Sequence, residues 1–367
     1  MFSFQNLYRA YRVCRKNKTT TINAMRFEQN LIENLWDLSH QLQNRSYTIG
    51  ASICFLAHSP KLREIFAADF RDRVVHHLLI GEIEAFYEQK FIYDVYNNRK
   101  AKGTHKALER SQKFMRACRE GYYLQLDIKG FFYHLDKEVL FGKLFRDIER
   151  SNLKEYADIL WLAHKIITHD PTTNYIFQGN KRDLYNLPPH KSLFKIPKNR
   201  GLPIGNLTSQ FFANVYMNGF DHFVKRELKV KSYLRYVDDF VLFDRDKERL
   251  EWCKEQIEVY LAKELKLTLR ADSRLKKVTQ GLDFLGYIIR PDYTLVRKRV
   301  VHNYKYKKAQ YLDAYEQQKG KMGLEEIKQF LSVQASFVAH CKHANGFNLQ
   351  NKVGKINETN PFDFDRC

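Results

Sequence analysis

The sequence predicts a mixed α+β fold. Short runs of β-branched and aromatic residues alternate along the chain with segments of helical periodicity. Two of the runs lie back to back at 231–243 (KSYLRYVDDFVLF), joined at Val237-Asp238-Asp239, and read as a β-hairpin with acids at its turn. A tight hairpin among strand–helix alternations points to a mixed sheet and away from a doubly wound one.

Taken in order, residues 23–44 place Phe27, Leu31, Leu35, Leu38 and Leu42 at helical spacing, with Asn23 as candidate cap. That pattern is expected to be a packing helix. Residues 61–80 (KLREIFAADFRDRVVHHLLI) join a basic start to an apolar helical run. The polar, basic stretch 93–106 reads as a loop, and YYLQLD at 122–127 as a strand. Residues 137–168 read as helix, ending before Pro171. An irregular excursion follows over 170–204, with Pro171, Pro188, Pro189, Pro197 and Pro203. Helices are expected from Asn206 to Leu228 and over 247–265, a strand over 282–290 (LDFLGYIIR), and a largely helical remainder.

Lys and Arg number 62 against 42 Asp and Glu, a net charge of +20 in 367 residues. An excess of that size marks a polyanionic partner, and nucleic acid is the commonest. An acidic membrane would require an apolar span or amphipathic anchor, and neither is found. The first residues, MFSFQNLYRAYRVCRKNK, contain no apolar run of the secretory kind. Cys14, Cys54, Cys118, Cys253, Cys341 and Cys367 form no C-x-x-C pair, so a zinc site or disulfide framework is not expected and reduced thiols in a cytoplasm are.

Asp238 and Asp239 stand together in an otherwise apolar hairpin. Two carboxylates about 4 Å apart repel by roughly 4 kcal/mol at an effective dielectric of 20. A divalent cation reverses that sign; ordinary solvated turn acids are the plainer alternative. Asp127 ends a second apolar strand, so two strand ends could deliver carboxylates to one sheet edge. Mg²⁺ takes one or two protein carboxylates together with substrate phosphates and water. A pair of such ions activates a 3′-hydroxyl and stabilises departing pyrophosphate. Asp127 could equally cap a helix over 128–135.

These residues also carry a resemblance. YVDD at 236–239, LDIKGFF at 126–132 and FLGY at 284–287 occur in the order found in reverse transcriptases. The chain resembles that family from Tyr8 to Asn345. The resemblance implies a right-hand polymerase with an antiparallel palm sheet flanked by helices: fingers over 1–117, palm over 118–290 with an inserted loop at 170–204, and a helical thumb over 291–367. It implies Asp127 and Asp238 as direct metal ligands, Asp239 as the third acid, and the Ile128 carbonyl as a further ligand. Phe132 matches the aromatic gate that excludes a ribose 2′-OH, with core packing as the alternative. Arg63 and Arg71 become candidate triphosphate clamps, with Arg73 behind them, because guanidinium pairs bidentately with phosphate. Tyr236, Leu285 and Gly286 would contact primer and template. So would Arg297, Lys298 and Arg299 in the basic-aromatic stretch RKRVVHNYKYKK, where Tyr304 or Tyr306 could stack or pack; a solvated helix face is the alternative. The family's general acid for pyrophosphate finds no secure match among Arg274, Lys276 and Lys277.

GLPIGNLTSQ at 201–210 departs from the usual Gln-Gly followed by Ser-Pro. It has Ile204-Gly205 followed by Ser209-Gln210. That variant, with REIFAADFRDRVVHHLL, KGTHKA, SQFFANVYMNGFDHFVK, FLGYIIRPD and AHCKHAN, is similar to diversity-generating retroelement enzymes. The resemblance implies cDNA synthesis from a template-repeat RNA, errors opposite template adenine, Mg²⁺ (or Mn²⁺) with dNTP substrates, a DNA primer, a basic accessory variability protein, and a bacterial or phage origin. Ile204, Gly205 and Gln210 would lie at the nucleotide. Ile204 cannot make the hydrogen bond that Gln makes there, a loss of about 0.5–1.5 kcal/mol; a merely buried aliphatic is the alternative. A group II intron-like or CRISPR-associated reverse transcriptase, or a non-catalytic RNA-binding assembly protein, are the rival functions.

Overall fold

The computed structural model describes residues 1–16, 21–58, 61–318 and 322–354. Cys367 and the end of the expected thumb, 355–367, lie outside the described residues. The chain divides into two compact units: Met1–Ala101, Gln125–Phe240 and Glu251–Ser273 form the first, and Lys102–Leu124, Val241–Leu250 and Arg274–Cys367 the second.

The strands are β1 (Ser52–Ala57), β2 (Arg63–Ala67), β3 (Tyr122–Asp127), β4 (Tyr175–Gln178), β5 (Ser232–Tyr236), β6 (Asp239–Asp244), β7 (Arg274–Lys277), β8 (Leu282–Phe284), β9 (Tyr287–Ile289) and β10 (Thr294–Val296). They form sheets of order β2-β1-β4, β5-β6-β3-β7 and β10-β9-β8. The mixed α+β class is therefore as expected. In the first sheet β1 runs antiparallel to β2 and parallel to β4.

The first unit buries two helices almost all round. Phe70–Lys90 sinks Val74, Val75, Leu78, Leu79, Ile83 and Tyr87, and Leu207–His222 sinks Phe211, Phe212, Val215, Tyr216, Met217 and Phe220. Both helices also bury polar residues, Asp72 and His76 in the first and Asn214, Asn218 and Asp221 in the second, so neither shows a clean polar stripe in the sequence. The second unit has its own small core, in which Val296, Phe337 and Cys341 surround Tyr304. The Tyr304 and Phe337 rings stack at 4.0 Å.

Several expected elements are divided differently. The helix expected over 23–44 breaks at Asn30 into Ile22–Gln29 and Leu31–Gln43, because the Asn34 side chain takes the Phe27 carbonyl at 2.9 Å. Asn23 lies inside the first of these; its amide donates to Asp69 at 2.9 Å. The stretch 61–80 is not one helical run. Arg63–Ala67 is strand β2, and Asp69 caps the helix that starts at Phe70. The helix over 137–168 is two, Lys137–Glu149 and Tyr156–Thr168. Between them the Ser151 hydroxyl donates to the Ile148 carbonyl and accepts from the Leu153 N–H, a local competitor of the helical bond. The excursion over 170–204 contains β4. The strand over 282–290 is the hairpin β8–β9, turning at Leu285 (φ 50°) and Gly286 (φ 92°), the left-handed pair that a tight hairpin requires.

The described cysteines Cys14, Cys54, Cys118, Cys253 and Cys341 are buried. Among the described residues no helix is long and apolar enough to cross a membrane.

Candidate active site

The hairpin β5–β6 turns through Val237 and Asp238, and β6 lies beside β3, so the three acids reach one sheet end. The Ile128 N–H donates to the Asp238 carbonyl at 3.2 Å, joining the two strand ends directly. Asp127 is the last residue of its strand and caps no helix. The helix that follows, Phe131–His134, starts from Gly130 in the left-handed conformation (φ 55°). Asp239 accepts from the Gln125 amide at 3.2 and 3.3 Å. Gln125 and Asp127 stand two apart on β3 and so face the same side.

Electrostatics set the Asp238 carboxyl apart. Burial, and next the Asp127 charge, push it up to about 6, against the pull of Arg63 and Lys61. Burial also raises Asp127, opposed by Arg270 and Lys61. The Arg270 guanidinium reaches Asp127 Oδ2 at 3.2 Å and is itself held by Asp272 at 2.9 and 3.0 Å. Its backbone N–H donates to the Asp127 carbonyl at 2.9 Å. Two neighbouring carboxyls held above their ordinary range, ringed by cations, are a donor set that fits a hard divalent cation. Among the described residues no three His, Cys, Asp or Glu side chains are preassembled as a metal site.

Val237 is held at φ 59°. For a β-branched residue this left-handed conformation costs about 1–3 kcal/mol and persists only where its surroundings impose it.

The remaining candidates fall as follows. Arg63 opens β2, is exposed, and acts on Asp238 through its charge. Arg71 is committed within the protein: its guanidinium donates to the Thr48 carbonyl at 3.1 Å, to Asp72 at 3.2 Å and to Gln41, over the Tyr47 ring. Arg73 donates to the Ala68 carbonyl at 2.7 Å. Phe132 is half-buried, its ring edge-on to Phe131, and its carbonyl accepts from the Leu202 N–H at 2.8 Å. The Ile204 carbonyl accepts from the Phe66 N–H at 2.9 Å, and the Asn206 side chain accepts from the Ala68 N–H at 2.9 Å. The 201–206 loop is thereby fastened to β2. Gly205 has φ +123°, and a Cβ there would lie 2.9 Å from Ile65. Gln210 is exposed and Tyr236 half-buried.

In the second unit, Leu285 and Gly286 form the β8–β9 turn, and the Gly286 carbonyl accepts from the Arg297 N–H at 3.0 Å. The Arg297 side chain pairs with Asp283. Lys298 and Arg299 are exposed at the start of the helix Lys298–Gln317. Tyr304 is a core residue, whereas Tyr306 is 60% exposed. Arg274, Lys276 and Lys277 lie on β7.

Sequence reading missed Lys61, Gln125 and Arg270. Arg270 precedes Arg274 by four residues, and only pairing of 268–270 beside 127–129 brings it to Asp127: the Lys129 N–H donates to the Thr268 carbonyl, and Ile128 bridges Leu269. Gln125 was discoverable by strand alternation from Asp127. Lys61 carried no signal beyond its charge.

A strand-end acid, Asp127, is thus apposed to the acidic hairpin turn at Asp238. The chain belongs to the reverse transcriptase (RNA-dependent DNA polymerase) family, whose model matches residues 57–289. It is similar to the group II intron-encoded protein LtrA of Lactococcus lactis subsp. cremoris, and equally to that protein from strain MG1363. In each case it is 22% identical over 296 residues, which cover 64% of this chain and 45% of the relative. The chain thus spans about half the length of the curated relatives it matches. Among solved structures it is similar to the apo telomerase of Candida tropicalis (TM-score 0.48, 12% identity, 66% of this chain and 47% of the other). The same enzyme truncated from its C-terminal domain gives 0.49, 12%, 68% and 55%. The Candida albicans telomerase in complex with a fragment of telomeric RNA gives 0.46, 10%, 83% and 58%.

Proposed function

We propose that this chain is an RNA-directed DNA polymerase that extends a primer along template RNA, with Asp127, Asp238 and Asp239 as the acids of its metal site. The observation that carries the reading is the joining of two strand ends at Ile128 and Asp238, with Asp127 and Asp238 both raised chiefly by burial. Bound Mg²⁺ would supply activation of the primer hydroxyl and neutralise charge on the phosphates. The chain's own residues do the rest. Asp127 and Asp238 hold the cation, Gln125 orients Asp239, and Lys61 and Arg63 favour the arrival of a triphosphate. Arg270 must leave Asp127 when a cation takes its place. Phe132 is proposed as the sugar gate, and fingers, palm and thumb are proposed at 1–117, 118–290 and 291–367.

The finer proposal is mutagenic cDNA synthesis from a template-repeat RNA with a basic accessory protein, in a bacterial or phage-encoded system in the cytoplasm. Ile204-Gly205 and Ser209-Gln210 support it. The similarity to the intron-encoded relative favours a second reading, a group II intron-like enzyme. Primer extension on RNA with Mg²⁺ tests the class: Asp238→Ala/Asp239→Ala is expected to lose activity by about a thousandfold or more. Activity that survived the double substitution would remove the acids from the mechanism. Sequencing the cDNA separates the finer readings, since errors concentrated opposite template adenine are expected only of the first.

A further inference from the structure

Beneath the Val237-Asp238 turn lies a buried polar network that metal binding by the three acids does not use. Arg235 and Asp221 are both fully buried. Arg235 donates from Nε and Nη2 to the two Asp221 oxygens at 2.8 and 2.6 Å, and the Tyr233 hydroxyl donates to the same carboxylate at 2.7 Å. The remaining guanidinium nitrogen, Nη1, donates to the Val237 carbonyl at 2.9 Å and lies 3.3 Å from Asn214 Oδ1. Asn97, almost wholly buried, accepts from the Val237 N–H at 2.9 Å through Oδ1. Its Nδ2 donates to Asn214 Oδ1 at 2.9 Å, and Asn214 returns a bond to the Asn97 carbonyl at 2.9 Å.

Both backbone polar groups of Val237 are thus gripped by interior side chains. The grip is anchored to the chain at 94–96: the Arg235 N–H donates to the Asp94 carbonyl, and the Tyr96 N–H to the Arg235 carbonyl, each at 3.0 Å. A hairpin needs no such arrangement, because solvent satisfies a turn. A buried ion pair is also a poor way to gain stability when apolar packing would serve as well. What the network does is force a valine into the left-handed conformation and so fix the direction in which the next residue, Asp238, leaves the backbone.

We propose that Asn97, Asn214, Arg235 and Asp221 are a positioning device for the Asp238 carboxylate, acting through the Val237 peptide. The proposal rests on the polymerase reading of Asp238. Its consequence is that metal affinity and turnover depend on a side chain at position 97 that touches neither metal nor substrate.

Asn97→Leu removes the acceptor while keeping the number and branching of the heavy atoms, whereas Asn97→Asp keeps an oxygen for the Val237 N–H and gives up only the donor to Asn214. Three readouts apply to the full chain: hydrogen exchange across Tyr233–Phe240, Mn²⁺ binding without nucleic acid by electron paramagnetic resonance, and kcat and KM in primer extension. Asn97→Leu is expected to speed exchange at the turn and weaken Mn²⁺ binding by about tenfold each. It should lower kcat by about tenfold with KM for dNTP within about twofold, while Asn97→Asp stays within about threefold of the unsubstituted chain on each measure. Asn97→Ala, read by exchange and Mn²⁺ binding, replaces leucine if the larger side chain unfolds the protein. Unchanged Mn²⁺ binding in a leucine or alanine variant whose turn exchanges faster would overturn the proposal, as would a turn whose exchange does not change. Failure of the polymerase reading looks different: Mn²⁺ binding would then be insensitive to Asp238→Ala in the unsubstituted background.

Discussion

Replacing Asp238 with Asn should make the protein more stable while abolishing its activity. The carboxyl is raised from an ordinary 3.8 to about 6 by burial and by Asp127. A tenfold change in proton affinity is worth about 1.4 kcal/mol, so the rise from 3.8 to about 6 corresponds to about 3 kcal/mol. Asp238 is only half-buried, so solvent screening discounts this to about 1–2 kcal/mol. The sign follows from proton binding: the folded state holds this proton more tightly than the unfolded chain does. The group's stabilising contribution is therefore fully present below about pH 4 and lost as pH rises through about 6. Asparagine keeps the neutral form at all pH. At pH 8, without divalent cations, Asp238→Asn should unfold about 1–3 °C higher than the unsubstituted chain, and at pH 4 the two should coincide. Thermal unfolding followed by fluorescence across that range measures it. Adding Mg²⁺ should raise the unsubstituted protein towards the variant. A variant less stable at pH 8, or a difference independent of pH, would refute the reasoning.

Other outcomes follow from the same structure. Arg270→Ala breaks a pair whose side chains are 41% and 36% exposed, so chemical denaturation should show a change of no more than about 1 kcal/mol. Phe337→Ala empties the stack on Tyr304 and should cost about 3–5 kcal/mol by the same measurement. Lys298→Ala/Arg299→Ala should flatten the log–log salt dependence of RNA binding by about 1.4–1.8, if each side chain neutralises one phosphate. Ile204→Gln should lower misincorporation opposite template adenine by about two- to tenfold, the equivalent of one restored polar contact, read by sequencing the cDNA.

The α+β class and the strand bearing Asp127 were legible because alternation is a local signal; β3 spans the residues expected. The hairpin at YVDD was legible for the same reason. The misplaced boundaries have local chemical causes that periodicity does not register. Asn34 takes a carbonyl of the helix before its own, Ser151 takes one of the helix that it follows, and Asp69 caps a helix inside what reads as one basic-apolar run. Leu285-Gly286 hid a turn because leucine is an uncommon residue in the left-handed conformation. Around the acids, the residues delivered by distant segments stayed hidden. Arg270 reaches Asp127 across 143 positions of sequence, and Asn97 reaches Val237 across 140.

The loop that carries Ile204 is fastened through main-chain atoms and through Asn206, not through the isoleucine side chain. Replacing that side chain leaves every one of these fastenings in place. On the proposed reading, in which Ile204 lies at the nucleotide, position 204 is a site at which copying accuracy could drift, or be engineered, without loss of these fastenings. Gly205, one residue on, has no such latitude.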